Sequence, residues 1–462
     1  MSVLKEFDQV RLAAWGQELY GLAAHLYPIC RSITGDGIRH TLGTIGDRIT
    51  LQTFAVPSGT PVFDWNVPKE WNIRDAYVAD SRGKRVVDFQ ACNLHVMSYS
   101  VPIHARMRFS ELKSHLFTIP EHPDWIPYRT SYYKKDWGFC LSHNQMLALD
   151  DGEYEVHIDS SLTEGSLTYG ECYLPGETSD EVLISVHACH PSLANDNLSG
   201  VTIATFLAKL LTGRDLRYSY RFLFIPGTIG AITWLARNRE QVGRICHGLV
   251  LTCLGDAGGF NYKKSRRGDA EIDRAVALVL KQQQEPNKVL EFSPYGYDER
   301  QYCSPGFNLP VGCLMRSVWG TFPEYHTSAD NLEFIRPERL AESLRMCLSI
   351  VEVLENNRKY RNLNPYCEPQ LGRRNLYSST GGHAIGEEIN ARLWVLNLSD
   401  GEHSLLDIAE RSGISFSLIS DAADVLCRHK LLSVVPNNPG ASSAQGVATR
   451  EQTLPALSSS LL

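Results

Sequence analysis

The chain has little of what membrane-bound and nucleic-acid-binding proteins need. Its apolar runs stay far below the roughly 20 residues of a membrane helix, and the N-terminal segment 1–28 interrupts its apolar residues with Lys5, Glu6 and Asp8, unlike a secretion signal. Basic residues are not in excess, because the net charge is −7 and the pI is near 6.1. These absences argue against nucleic acid and membranes as partners and predict a cytoplasmic protein.

Closely paired cysteines are also missing. The twelve cysteines are scattered without CxxC pairs or regular spacing, which favours buried reduced thiols over a disulfide framework. The hydrophobic content of 43% and the charged content of 21% are ordinary for a folded protein. A length of 462 residues predicts two or three domains.

The spacing of apolar residues changes along the chain and predicts its organisation. Residues 9–48 have helical spacing, and short segments rich in Val, Tyr, Phe, Trp and Pro follow to about 150. From residue 154, strands alternate with helices, which predicts a three-layer α/β/α sandwich with a mixed, mostly parallel sheet. We predict an α/β domain over 1–50 and 151–365, a β-rich insert or lid over 51–150, a winged-helix domain over 383–435 after a linker over 358–382, and a disordered tail over 436–462.

One apolar segment ends in metal-binding residue types. In 183-LISVHACHPSLANDNLSG-200 the apolar run leads into His187, His190, Asp196 and Asn197. Imidazole and carboxylate groups are ligands that zinc prefers, and ligands gather at the carboxyl ends of parallel strands. His190, which precedes a proline, is equally suited to positioning the loop or orienting a substrate carboxylate. Asn197 or Ser199 is expected to cap the following helix.

Two further segments supply complementary groups. Asp256 follows a predicted strand over 247–255, and 324-EYHTSADN-331 contributes His326. Since separate strand ends meet at the same edge of such a sheet, we expect these side chains to converge with His187. The sequence therefore predicts a metal site built from His187, Asp196, Asp256 and His326.

The strings HACHPSLANDNLSG, LGD and EYHTSADN resemble those of bacterial zinc aminopeptidases and the related glutaminyl cyclases of metallopeptidase clan MH. With DWNVPKEWNIRDAYV, TSYYKKDWGFC and GYDERQYCSPG, the chain more closely resembles aminopeptidase-like proteins encoded among polysaccharide or secondary-metabolite genes, to about residue 435. The resemblance implies that His187 and Asp256 bind one metal and His326 a second, with Asp196 bridging. It also implies that Asp330 orients His326.

The chain departs from the family where the catalytic base is expected. The aminopeptidases have two successive glutamates there, a general base and a metal ligand, and this chain has Gly227 and Thr228. General-base catalysis is typically worth about 100- to 10,000-fold in rate. With a ligand also missing, we expect one zinc ion, held by His187, by Asp196 or Asp256, and by His326.

Glu324 is the candidate to replace the missing catalytic base. If residues 324–326 are extended, Glu324 lies on the same side as His326 and reaches the site as a catalytic residue. The alternatives for Glu324 are a buried ion pair or a loop cap.

Other polar and aromatic residues are candidates for contact with the substrate. The resemblance places Asp298, Glu299 and Arg300 where the family recognises an α-amine and a carboxylate or phosphate, although a solvated polar loop is the alternative. The run 263-KKSRRG-268 is interpreted as a solvated loop rather than an anion clamp. The insert supplies aromatic residues that either form a lid or belong to its core: Trp65, Trp71, Tyr128, Tyr132, Tyr133 and Trp137.

Two functional hypotheses remain open. One is a zinc-dependent aminopeptidase-like hydrolase that cleaves a C–N amide bond of a small peptide or biosynthetic intermediate. The other is a non-catalytic or repurposed metal- or ligand-binding homologue in a biosynthetic pathway. Residues 385–433 contain eight acidic and four basic residues, so the winged helix is expected to contact protein, within a homo-oligomer, rather than DNA.

Overall fold

The computed structural model describes residues 9–283, 285–377 and 386–436. Its helices are α1 Gln9–Leu26, α2 Asp36–Gly46, α3 Phe109–Leu112, α4 His143–Leu147, α5 Gly200–Leu211, α6 Ile229–Arg237, α7 Glu271–Lys281, α8 Glu299–Tyr302, α9 Pro337–Asn356, α10 Glu387–Leu398, α11 Leu405–Ser412 and α12 Phe416–Arg428. Its strands are β1 Gln52–Pro57, β2 Pro61–Val62, β3 Trp65–Asn66, β4 Glu70–Ala79, β5 Arg85–Asp88, β6 Ile103–Arg108, β7 Leu116–Phe117, β8 Phe139–Cys140, β9 Glu153–Thr163, β10 Ser166–Leu174, β11 Glu181–His187, β12 Ser219–Ile225, β13 Ile245–Leu251, β14 Phe260–Lys263, β15 Asn287–Leu290, β16 Val311–Met315, β17 Lys359–Asn362, β18 Asp400–Ser404 and β19 Leu432–Val434. From residue 437, the predicted tail lies outside the described residues.

An eight-stranded mixed sheet forms the centre of the α/β domain. Its order is β1-β10-β12-β11-β13-β16-β14-β15, and the four central strands β12, β11, β13 and β16 are parallel. All seven residues of β11 are buried, because helices and the insert cover both faces of the sheet. The predicted α/β architecture is confirmed. The carboxyl ends of the central strands meet at one edge, which is where the predicted site lies.

The β-rich insert has boundaries that differ from the sequence prediction. Its antiparallel sheet has the order β5-β4-β9-β6. Residues 154–160, which we predicted to begin the α/β series, belong to β9, whereas β1 pairs with β10 at the edge of the main sheet. The alternating burial of β9 explains the difference, because one face of this strand packs on the insert core and the other is partly exposed.

The winged-helix domain begins before the predicted position. Its sheet has the order β18-β17-β19, so residues 359–362 of the predicted linker form the central strand. Helix α11 ends at Ser412, and Gly413 adopts the left-handed conformation that ends this helix. Arg274 of α7 forms ion pairs with Asp407 and Glu410, which attach this domain to the α/β domain.

The cysteines are reduced, as their scattered spacing predicts. All twelve cysteines lie in the described part of the chain, and each is a free thiol. Within the same part, every helix is too short or too polar to span a bilayer.

Candidate metal centre

The loop between β11 and α5 positions the central carboxylate. His187 is the last residue of β11, and residues 194–199 form an irregular turn in which Asp196 and Asn197 have non-helical backbone angles. The Asn197 Oδ1 atom accepts a hydrogen bond from the Gly200 backbone N–H at 3.1 Å, and its Nδ2 atom donates to the Leu251 carbonyl at 2.9 Å. Asn197 therefore caps α5, as one of the two predicted candidates, and anchors the turn to β13.

Asp196 lies between two imidazoles. Its Oδ1 atom is 2.8 Å from Nε2 of His187, and its Oδ2 atom is 3.0 Å from Nε2 of His326. His190 completes the group, since ligand atoms of His187, His190 and Asp196 all lie within 4.8 Å of one another. Three of these four side chains are buried, and that of His326 is 32% exposed. The cluster is thus closed on the sheet side and accessible beside His326.

The protonation states suit metal binding. Burial opposes ionisation of Asp196, but the adjacent imidazoles of His190 and His187 outweigh it and hold the pKa of this carboxyl well below its usual value. Burial lowers the pKa of His190 well below its usual value, which keeps this imidazole neutral. Carboxylate oxygens and imidazole nitrogens are the donors that zinc binds.

The spacing of these atoms is close to that of zinc ligands. Two ligand atoms about 2.0–2.2 Å from a tetrahedral zinc ion are roughly 3.3 Å apart. The two distances from Asp196 to the imidazole nitrogens, 2.8 and 3.0 Å, differ from this value by only a few tenths of an ångström. These residues therefore supply zinc-binding groups at close to the required spacing.

Asp330 and Asp256 lie around the cluster. Asp330 accepts hydrogen bonds from the backbone N–H groups of Asn195 at 2.6 Å and Asp196 at 2.9 Å, so its carboxyl group holds the turn that carries Asp196. Burial raises the pKa of Asp330 to about 8. Asp256 accepts from the Asn195 side chain at 2.8 Å and the Ser317 hydroxyl at 2.7 Å. Both carboxyl groups thus support Asn195 and its neighbours, and a ligand role for Asp256 stays a prediction.

A tyrosine fills the place of the missing glutamate. A Cβ atom on Gly227 would overlap the hydroxyl oxygen of Tyr297 and lie 2.6 Å from the ring carbon that carries it. The ring of Tyr297 packs against the imidazole of His187, with centroids 3.9 Å apart. Burial raises the pKa of Tyr297 well above its usual value, so its hydroxyl is neutral. The loss of the glutamate is therefore coupled to a bulky neutral group in the same volume.

The segment of Glu324 differs from its predicted conformation. Residues 323–326 form a turn, and His326 has a positive φ of 56°. The condition of an extended segment is not met, so the alternation of strand side chains does not bring Glu324 beside His326. Its carbonyl accepts hydrogen bonds from Thr327, and its catalytic role stays a prediction.

Residues 298–300 are not a solvated loop. Glu299 and Lys263 form a buried ion pair at 2.8 Å, which also corrects the interpretation of the 263–268 run, because its first lysine is 3% exposed. Asp298 accepts from the Thr228 backbone N–H at 2.6 Å. Its Oδ2 atom and the Nε atom of Arg300 are buried and have no hydrogen-bond partner among the described residues. Such unpaired atoms are available to a bound ligand.

The buried carboxyl group of Asp298 should make stability depend on pH. Burial raises the pKa of Asp298 from 3.8 to about 7, so the folded protein keeps a proton that the unfolded chain releases. Wild-type stability should therefore fall as pH rises through this window, by roughly 4 kcal/mol in total. The Asp298→Asn variant lacks this titration and should gain stability relative to wild type up to about pH 7, then level off. Urea unfolding of both proteins between about pH 5 and pH 8 measures the difference; parallel curves would contradict it.

The aromatic residues of the insert divide between core and site. Trp71 is 2% exposed and stacks on Tyr99, and Trp137 stacks on His115. Tyr128 instead contacts the rings of His190 and His326, each with centroids 5.1 Å apart. Trp65, Tyr132 and Tyr133 line a cavity of about 260 Å³ next to His190, Gly227 and Tyr297. Some aromatic residues of the insert therefore belong to its core and others line the cavity beside the cluster, and a lid function stays a prediction.

Some residues of the site gave no signal in the sequence. Tyr297 and Asn195 lie inside the quoted family strings but are not singled out there, and only the fold brings them to Gly227 and Asp256. Arg31 is a further case: it is 1% exposed and donates to the His190 carbonyl at 2.9 Å. Arg31 lies in the loop between α1 and α2, and its sequence context gives no indication of this contact.

The fold and the site together define an aminopeptidase-like protein with a C-terminal winged helix. The chain belongs to a family described as a domain of unknown function, DUF4910, whose model matches residues 20–357, and residues 358–434 match a winged helix-turn-helix family.

Relatives and solved structures agree with this assignment. A Clostridium acetobutylicum protein, provisionally named a polysaccharide biosynthesis protein with aminopeptidase-like domain, is 55% identical over 91% of this chain and 97% of its own length. A crystal structure from that organism, provisionally described as a peptidase, has a TM-score of 0.88 at 54% identity, covering 92% of this chain and 97% of its own. A zinc aminopeptidase from Bacillus subtilis shares the fold, with a TM-score of 0.53 at 13% identity, covering 73% of this chain and 94% of its own.

Proposed function

We propose that this protein is a zinc-dependent hydrolase of an amide C–N bond, with one ion held by His187, Asp196 and His326. The observation that carries the proposal is the Asp196 carboxylate, which contacts both imidazoles at the carboxyl edge of the sheet. Three protein ligands leave one position open, as in catalytic zinc sites.

The chain's own residues have separate tasks in this proposal. A zinc ion bound there supplies Lewis acidity that polarises the scissile carbonyl and lowers the pKa of water. The neutral Tyr297 hydroxyl is suited to donating a hydrogen bond to a substrate oxygen, but it does not accept a proton as a glutamate does. Glu324 remains the proposed proton acceptor, in a half-buried turn that would have to bring its carboxylate to the site.

The substrate is proposed to be a small peptide or an intermediate of polysaccharide biosynthesis. The relative from Clostridium acetobutylicum carries the latter process in its name, and 55% identity over most of both chains supports a related role. We also propose a cytoplasmic location, in keeping with free thiols throughout. A homo-oligomer that uses the winged helix as a contact surface completes the proposal.

A second candidate is a binding protein that keeps the pocket without hydrolysis. The overlap of Tyr297 with a side chain at residue 227 favours it, because the usual base has no room. His190 separates the two candidates: as a fourth zinc ligand it would close the coordination shell, as in structural sites.

The His190→Ala variant distinguishes the zinc-dependent hydrolase from the binding protein. If the site is catalytic, zinc affinity should stay within about tenfold of wild type while release of amine from aminoacyl and N-acyl substrates is lost. If the site is structural, zinc affinity should fall as far as in His187→Ala. Metal content after dialysis and amine release by the zinc-loaded protein are the two measurements. A wild-type protein that binds zinc tightly and releases no amine from any such amide would support the binding protein.

The winged helix is expected not to bind DNA. Helix α12, which corresponds to the recognition helix of this motif, carries Asp421 and Asp424 together with Arg428. Negative charge on this helix opposes phosphate binding, since Lys and Arg supply most of the non-specific affinity. Fluorescence anisotropy with labelled duplex DNA at physiological salt should show no binding below about 100 μM. Salt-dependent binding below that concentration would overturn the expectation.

A further inference from the structure

A second cavity adjoins the one beside the metal cluster. It has a volume of about 400 Å³, and Trp65 lines both cavities. Its apolar wall consists of Trp65 with Phe63 and Phe307, and its polar wall includes Asp64, Arg239, Gln301 and Ser304. We refer to these two adjacent cavities, which share Trp65 as a lining residue, together as the cleft.

The aromatic side chains of this cleft are unusually exposed. The exposed fractions are 54% for Phe63, 42% for Trp65 and 52% for Tyr133. Trp65 packs edge-on against Tyr133 with centroids 5.4 Å apart, and Phe63 packs edge-on against Phe307 at 5.8 Å. Exposed aromatic residues grouped around a concave surface are typical of binding sites rather than of cores.

Backbone strain supports a functional reason for these positions. Phe63 and Asp64 form the two-residue turn between β2 and β3, and Phe63 has a φ of 58° where Asn or Gly is favoured. Tyr133 also has a positive φ, 67°. Bulky residues in this conformation are strained and concentrate at functional sites. Phe63 and Tyr133, in two separate loops, therefore have strained backbone conformations, and their aromatic rings line the cleft.

The polar wall consists of side chains that are not otherwise engaged. The side chains of Asp64, Arg239, Gln301 and Ser304 make no hydrogen bond or ion pair with any residue that the structure describes. Together they offer donors and acceptors with no net charge. A phosphate group would meet the Asp64 carboxylate, and an apolar peptide side chain would leave these groups unpaired.

From these observations we infer that the cleft binds a pyranose ring, which presents an apolar C–H face to Trp65 and Phe63 and hydroxyl groups to Asp64, Arg239 and Gln301. One consequence of this inference rests on the proposed function. An N-acyl substituent of the sugar enters the cavity of about 260 Å³ beside His190 and Tyr297. The substrate class is then an amide carried by an amino sugar.

Ligand binding by the full chain, without added metal, tests the sugar site separately from hydrolysis. Methyl N-acetylglucosaminide should bind with a Kd of about 1 mM in calorimetry and saturation-transfer NMR. Trp65→Ala should weaken this binding by at least about tenfold. Tyr366→Ala serves as the matched control, because Tyr366 is an aromatic residue 93% exposed and lies outside both cavities.

Phe63→Asn separates binding from stability. Asparagine favours the left-handed turn position, so this variant should be at least as stable as wild type and yet bind the sugar more weakly. No detectable sugar binding by wild type, tighter binding of N-acetylphenylalanine amide, or equal binding by Trp65→Ala would each overturn the inference. Sugar binding by a protein that neither retains zinc nor cleaves amides would uphold the site and reject the proposed hydrolase.

Discussion

Replacing His326 or His187 by alanine should lower the zinc affinity of the protein by more than about 100-fold. Each imidazole contacts one oxygen of Asp196, so either change removes a ligand and leaves the buried carboxylate with one partner fewer. Loss of groups that only orient ligands already costs about 10- to 100-fold. Competition titration with a chromophoric chelator measures the affinity.

Matched variants separate ligands from supporting residues. His40→Ala removes an exposed histidine on α2 and should leave zinc affinity unchanged. Asp256→Asn should cost no more than about 100-fold, because Asp256 contacts Asn195 and Ser317 in the support of the loop. An Asp256→Asn effect as large as that of His326→Ala would instead establish Asp256 as a ligand.

The order of secondary structure was predictable because each element has its own periodicity. The buried strand β11 contains the apolar residues Leu183, Ile184 and Val186, and the helices α5 and α6 alternate with strands as predicted. Domain boundaries were less accessible to prediction. Strand β9 joins the insert sheet and β17 joins the winged helix through pairings with distant segments, and no local pattern encodes such partners.

The convergence of the site was predictable from strand ends, whereas its detailed contacts were not. His187, Asp196 and His326 meet as the topology of a parallel sheet requires. The conformation of residues 323–326 and the position of Tyr297 depend on tertiary packing. Gly227 illustrates the limit: the sequence shows that a glutamate is missing, and only the structure shows that a ring from another loop occupies the space.

Tyr297 occupies the space that a glutamate side chain at position 227 would need. Gly227→Glu alone should not restore a catalytic base, because its Cβ atom would overlap the Tyr297 hydroxyl. The ring cannot move away freely, since it packs on the imidazole of His187. We expect a loss of about 1–3 kcal/mol in the free energy of unfolding, as for other overpacked sites, together with weaker zinc binding and no gain in amide hydrolysis.

Removing the tyrosine should change the outcome of the same substitution. The Gly227→Glu/Tyr297→Ala double variant has room for a carboxylate beside His187, and its amide hydrolysis should exceed that of Tyr297→Ala alone by about 100-fold, the lower range of general-base catalysis. Comparing the two zinc-loaded variants on an aminoacyl anilide isolates the base from the loss of the ring. A gain would mean that the site retains every other requirement of an amide hydrolase. If zinc binding is intact and no gain occurs, Tyr297 belongs to a pocket built for binding, because then the missing base is not what separates this chain from the peptidases whose fold it shares.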